Sequence, residues 1–178
     1  MRAPSVEGME QRELLIDAFS RIREIVHGVV EGASPELLGY RVDPEANTIA
    51  WLVWHLTRGQ DAQIADVAGT EQLWLTEWAD RFDLPLPRES TGYGHSSRDV
   101  AAVVAPAQLL LDYHDAVQEA TVAYLGGLSG ADLDRVVDTA WDPPVTLGVR
   151  LVSIVGDDWQ HAGQAAFVQG IARRAGVV

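Results

Sequence analysis

The stretch GDDWQHAGQ, residues 156–164, sets a carboxylate and an imidazole one helical turn apart inside a run that otherwise has the spacing of a buried helix. Steps of three and four connect Leu147, Leu151, Ile154, Asp157, His161, Ala165, Val168 and Ala172. Residues four apart on a helix differ by about 40° in direction and about 6 Å in height, so Asp157 and His161 can address one point. A buried, unpaired carboxylate costs several kcal/mol. Such a seam therefore calls for a partner cation, a water-filled cleft or a metal. Asp158 is the competing carboxylate on an adjacent direction; Asp157 aligns better with His161.

A complementary stripe lies earlier in the chain, at Leu52, His55, Gly59 and Ala62. His55 is its one large polar member, and the two small residues leave space beside it. A His from one helix with an Asp-x-x-x-His pair from another supplies three convergent ligands, a common way for bundles to build metal sites. Two imidazole nitrogens and a carboxylate oxygen suit Zn²⁺, with Ni²⁺ and Fe²⁺ as alternatives. Three protein ligands leave a coordination position open, which marks a reactive site. Spacing alone also permits the plainer reading, in which the Asp/His pair is solvated and His55 is a hydrogen-bonded core histidine.

Other residues could serve the same cleft. Gln164, one turn beyond His161, is placed to accept a ligand imidazole's second N–H or to meet a substrate. Arg58 is a candidate for cofactor binding, or it forms a solvated ion pair with Asp61. Trp159 and Trp54 either floor a substrate pocket or pack between helices. His114, in step with Leu110, Val117 and Thr121, is the candidate general acid or base, and equally a core histidine. His95, in the GYGHSS turn, lids the site or sits in solvent. His27 lies off its helix's seam and receives no role.

Four long amphipathic segments must position these groups. The first covers residues 6–31, with Leu15, Phe19, Ile22, Val26 and Val29 as its stripe. The second covers residues 45–67, with Asp43 or Asn47 as N-cap. The third covers 106–128, ended by GGLSG, and the fourth 147–175. Little period-two alternation occurs anywhere, so the expected fold is all-α, a four-helix bundle. Residues 69–105 are too many for a featureless loop. EQLWLTEWADRF is expected to form a short helix there, and LPLPRESTGYGHSS an exposed, turn-rich stretch. A crossover this long allows the helices to depart from a simple up-down-up-down order. Residues 1–178 read as a single domain.

Composition narrows the functional classes. A net charge of -13 disfavours nucleic acid and anionic membrane as partners. There is no cysteine, which excludes disulfides, thiolate ligands and a cysteine nucleophile. Any thiol chemistry must use a substrate's sulfur. All 13 Lys+Arg residues are arginine, which excludes a lysine Schiff base. Without a signal peptide pattern or a span of roughly 20 apolar residues, the expected location is cytoplasmic. A homodimer is the expected assembly.

NTIAWLVWHLTRGQDAQ, followed much later by VTLGVRLVSIVGDDWQHAGQAAFVQGIAR, resembles the DinB-like superfamily of metal-binding four-helix bundles. Within it the chain most resembles the mycothiol transferase branch, related to mycothiol-dependent maleylpyruvate isomerase. WADRFDLP, TGYGHSSRDVAAV and LLLDYHDAV fit the same branch, and the likeness covers nearly the whole chain. It implies a DinB-like bundle with a long structured connection between helices two and three. The family's usual ligands, a His on the second helix and a His-x-x-x-His pair on the fourth, map onto His55 and His161. Asp157 replaces the middle histidine, where the related isomerase carries a glutamate. The resemblance further implies a metal-dependent transfer of a low-molecular-weight thiol, mycothiol, to an electrophilic small molecule. A non-catalytic, stress-associated bundle binding a metal or small ligand is the competing class.

Overall fold

Four long helices carry the structure, a computed structural model that describes residues 10–177. Helix α1, Gln11–Val30, starts in a capping box between Glu10 and Glu13 and buries Phe19, Ile22, Val26, Val29 and Val30. The expected start of this helix, residues 6–9, lies outside the described residues. A single turn, α2 (Pro35–Leu38), follows, capped by Ser34.

Helix α3, Ile49–Ala68, begins at neither Asp43 nor Asn47. Thr48 is its N-cap, its hydroxyl accepting from Trp51 N at 3.1 Å. Gly69, at φ 68°, ends it in the left-handed conformation that glycine adopts without cost. Every residue from 49 to 61 is buried, so α3 is the bundle's central column and even its polar side chains are internal.

The crossover after α3 is structured, as its length requires. Trp74–Trp78 forms a wide helical turn that runs into α4, Ala79–Phe82, within the expected short helix. A further helix, α5 (Ser97–Ala102), is capped by a Ser96/Asp99 box directly after the GYGHSS turn. The turn itself is not uniformly exposed, because Gly92 is buried against α3.

Helix α6, Ala107–Gly126, runs parallel to α3: Thr57 meets His114 at one level and the Val67 carbonyl meets Tyr124 further along both. A short hairpin, β1 (Val136–Asp138) antiparallel to β2 (Val145–Thr146), leads into α7, Leu147–Arg174. Helix α7 runs parallel to α1, with Leu14 beside Val152 at one end and the Gln169 amide donating to the Val29 carbonyl at the other. Arg23 and His27 of α1 meet Asp115 of α6, which runs the opposite way. The order is thus up-down-down-up, made possible by the crossover between α3 and α6. None of the described helices is long and apolar enough to cross a membrane.

The buried seam of α7 differs by one residue from the seam its sequence spacing suggests. Its fully buried stripe is Leu147, Leu151, Ile154, Asp158, Ala162 and Ala165. Asp158, not Asp157, interrupts the core, while Asp157 and His161 stand beside that stripe on the flank toward α3.

Candidate metal centre

His55 stands near the middle of α3, 4% exposed, with Trp51 from the preceding turn stacked on its ring at 4.6 Å and 17°. Its Nδ1 is engaged by the main-chain carbonyl of Thr91, so Nδ1 carries the proton and Nε2 is the free lone pair. Gly92 makes this approach possible. Its φ of +105° suits glycine, and a Cβ there would overlap the His55 ring.

His161 meets His55 edge to face, ring centroids 4.7 Å apart at 76°. Its Nδ1 pairs with Gln164 Oε1 at 3.0 Å, and its Nε2 lies 3.6 Å from Asp157 Oδ1. The other Asp157 oxygen lies toward Gly59, where a Cβ would sit at 3.7 Å. One ligand atom each from His55, Asp157 and His161 falls within 4.8 Å of the other two.

The donor set fits a divalent cation. Each imidazole has its outer nitrogen held by an oxygen acceptor, Thr91 or Gln164, the arrangement that orients metal-binding histidines. Burial holds His55 below the usual imidazole range, which keeps its ligand nitrogen unprotonated. The Asp157 carboxylate beside it raises His161, and the His161 imidazole in turn lowers Asp157. Asp157 and His161 remain partly exposed, at 31% and 17% of their side chains, so one side of the cluster faces solvent. Tyr93 stands at that rim, 75% exposed yet 5.6 Å from the His55 ring.

The other candidates are distributed differently. Gln164 reaches the cluster through His161. Arg58 is fully buried, donating to the Ser90 carbonyl and to Gln72 Oε1, with its guanidinium 4.9 Å above the Trp74 ring. Its partner Asp61, at 3.6 Å, also accepts from Leu73 N, Trp74 N and the Tyr113 hydroxyl. This ion pair is internal rather than solvated, and it fastens the crossover to α3.

His114 is fully buried and bonded to Thr57 at 3.1 Å. Two residues along a helix turn about 200°, so it meets the face of α3 opposite His55 and does not join the cluster. Trp159 is 43% exposed in a groove with Leu14 and Val152, away from the triad. Trp54 is in the core, stacked at 5.8 Å on His95. His95 is half-buried and hydrogen-bonded at both ring nitrogens: Nδ1 accepts from Trp51 Nε1 at 3.1 Å and Nε2 pairs with Ser90 Oγ at 2.7 Å.

Trp51, Thr91, Gly92 and Tyr93 were missed by sequence reasoning. Trp51 was findable, since it precedes His55 by one helical turn. Thr91 acts through a main-chain carbonyl, which leaves no mark in residue identity.

A family model described as the DinB superfamily matches residues 18–165. A crystal structure described as a conserved protein from Enterococcus faecalis superposes with a TM-score of 0.84 at 33% identity, covering 91% of this chain and 96% of that one. No curated protein matches the chain.

Proposed function

The chain belongs to the DinB superfamily, and from that membership we propose that it is a metal-dependent transferase joining a low-molecular-weight thiol, mycothiol, to an electrophilic small molecule. The observation that carries this reading is the His55–Asp157–His161 cluster, whose outer nitrogens are both held and whose remaining side is open. Zinc is the metal the donor set favours, with nickel and iron(II) compatible. A divalent cation there would lower the pKa of a bound thiol from its usual value of about 8.5, so that the thiolate predominates at neutral pH.

The chain's own residues provide the rest. His55 and His161 present Nε2 from two helices, held in that tautomer by Thr91 and Gln164. Asp157 contributes one negative charge, which leaves the loaded site net positive and attractive to a thiolate. Trp51 covers the inner face of His55 and excludes water there. Tyr93 offers an aromatic surface at the mouth for an incoming electrophile. In the transfer, a sulfur–carbon bond forms as the leaving group departs with its electron pair, and the thiol's proton passes to solvent. The absence of cysteine spares the protein from the same electrophile.

The test is conjugation of 1-chloro-2,4-dinitrobenzene by a panel of thiols, with and without added metal. Metal-dependent turnover with mycothiol, abolished in His55→Ala, supports the reading. Absence of metal-dependent turnover with every thiol overturns it. In that case the second reading stands, a bundle that binds metal without catalysis. Its support is that neither His114 nor Arg58 reaches the triad.

A further inference from the structure

Among the described residues, four of the ten large apolar side chains left exposed lie on α7: Val149, Val152, Trp159 and Phe167. Their spacing sets them in line. With the exposed Gly156 and Gly163 they form one stripe within about 80° of arc, opposite the buried seam and about 140° round the helix from Asp157 and His161. None of the exposed residues from Val152 to Phe167 is charged, although the chain carries 13 basic and 26 acidic residues. An open groove borders the stripe, where Val152 and Trp159 face Leu14 and Ala18 of α1. Asp17 and Arg21 on its edge pair with each other at 2.7 Å.

The two glycines serve no contact within the chain. A Cβ at either position would meet open space, and glycine weakens a helix interior relative to alanine. Their missing side chains let another backbone come close. The stripe also reads alike from both ends. About a point between Trp159 and Gln160, Val152 mirrors Phe167 and Gly156 mirrors Gly163. A two-fold dimer requires such a pattern, because each copy offers the patch that the other receives. Charge favours the same occupant. Two chains of net charge -13 repel one another, least so across an uncharged face, whereas a basic partner would find no carboxylate on the stripe.

We infer that this face binds a second copy of the chain, with the two α7 helices antiparallel and the two-fold axis between Trp159 and Gln160. Gly156 lies against the partner's Gly163, and Phe167 enters the partner's groove beside the partner's Val152. The contact is independent of the thiol-transfer reading, because it uses none of the metal-binding groups.

Sedimentation velocity of the full-length protein should show a species of twice the chain mass that grows with protein concentration and with salt, which screens the repulsion. Phe167→Glu places a charge in the groove, and Gly163→Gln adds a side chain that only a partner would meet. Each should weaken dimerisation at least tenfold while keeping the circular dichroism of the parent. His55→Ala should dimerise as the parent does, even if it loses metal and turnover. Because the chain has no cysteine, an introduced thiol reports the geometry alone. Gln160→Cys, beside the axis, should give a disulfide-linked dimer under mild oxidation. Ser153→Cys, on the same flank but about 20 Å from its own copy, is beyond the reach of a disulfide and should not. A protein that stays monomeric at every concentration, a dimer that persists in both Phe167→Glu and Gly163→Gln, or equal crosslinking of Ser153→Cys and Gln160→Cys would overturn the assignment. So would a monomer that binds phosphatidylcholine vesicles and loses them in Phe167→Glu, which would give the stripe to lipid.

Discussion

Gly92 lies so close to His55 that any side chain at 92 would overlap the imidazole. The positive φ and the missing Cβ together let the Thr91 carbonyl reach Nδ1 and fix which nitrogen faces the cluster.

Gly92→Ala must therefore either strain the backbone, at about 1–2 kcal/mol, or withdraw Thr91 from His55. The expected outcome is a folded protein with metal affinity reduced about 10- to 100-fold. A competition titration against a chromophoric chelator measures this. Unchanged affinity would show that the turn does not orient the ligand.

Arg58 makes a different kind of prediction, because it holds the crossover rather than a cofactor. Arg58→Ala leaves Asp61 buried without its cation and should destabilise the fold by about 3 kcal/mol in urea unfolding. If stability is unchanged and only the Michaelis constant for thiol rises, Arg58 binds substrate instead.

Asp158 is fully buried, and neither of its oxygens has a hydrogen-bond partner. Burial, reinforced by Asp157, holds its carboxyl well above the usual range. The folded state then keeps a proton that the unfolded state releases near pH 4, so this group's contribution to stability falls as pH rises above about 4. Asp158→Asn should be more stable than the parent at pH 7 by about 1–3 kcal/mol, with the advantage vanishing toward pH 4. Metal-free protein unfolded in urea across that range gives the comparison; a constant difference would contradict the burial account.

His114 has the opposite sign. Burial lowers its imidazole to about 4, whereas an unfolded histidine takes up its proton near 6.5. Its contribution therefore weakens folding as pH falls from about 6.5 to 4. The NMR titration of its ring should have a midpoint of about 4. A midpoint near 6.5 would place the ring in solvent.

How far the sequence was legible depends on what kind of group did the work. Helical spacing located all four long helices, because the apolar stripes of Phe19, Ile22 and Val26 or Leu147, Leu151 and Ile154 are also the buried ones. It misjudged α7 by one residue, since Asp157 and Asp158 both fit a three-or-four step and only packing tells core from flank. Thr48 won the cap from Asn47 through its own hydroxyl contact with Trp51 N. The hairpin of β1 and β2 is too short to show alternation. Residue types also placed Arg58 and His114 near a cleft, whereas α3 is enclosed on all sides and turns Thr57 and His55 to opposite faces. The candidate ligands were visible as side chains; the carbonyl that orients one of them was not.

Zinc K-edge X-ray absorption of the loaded protein, before and after mycothiol, probes the central claim at the atom concerned. The account predicts nitrogen and oxygen neighbours alone at first, then one sulfur at about 2.3 Å. That sulfur must come from the thiol, because the chain has no cysteine. A shell that stays free of sulfur, or one that forms equally well in His55→Ala, would contradict it.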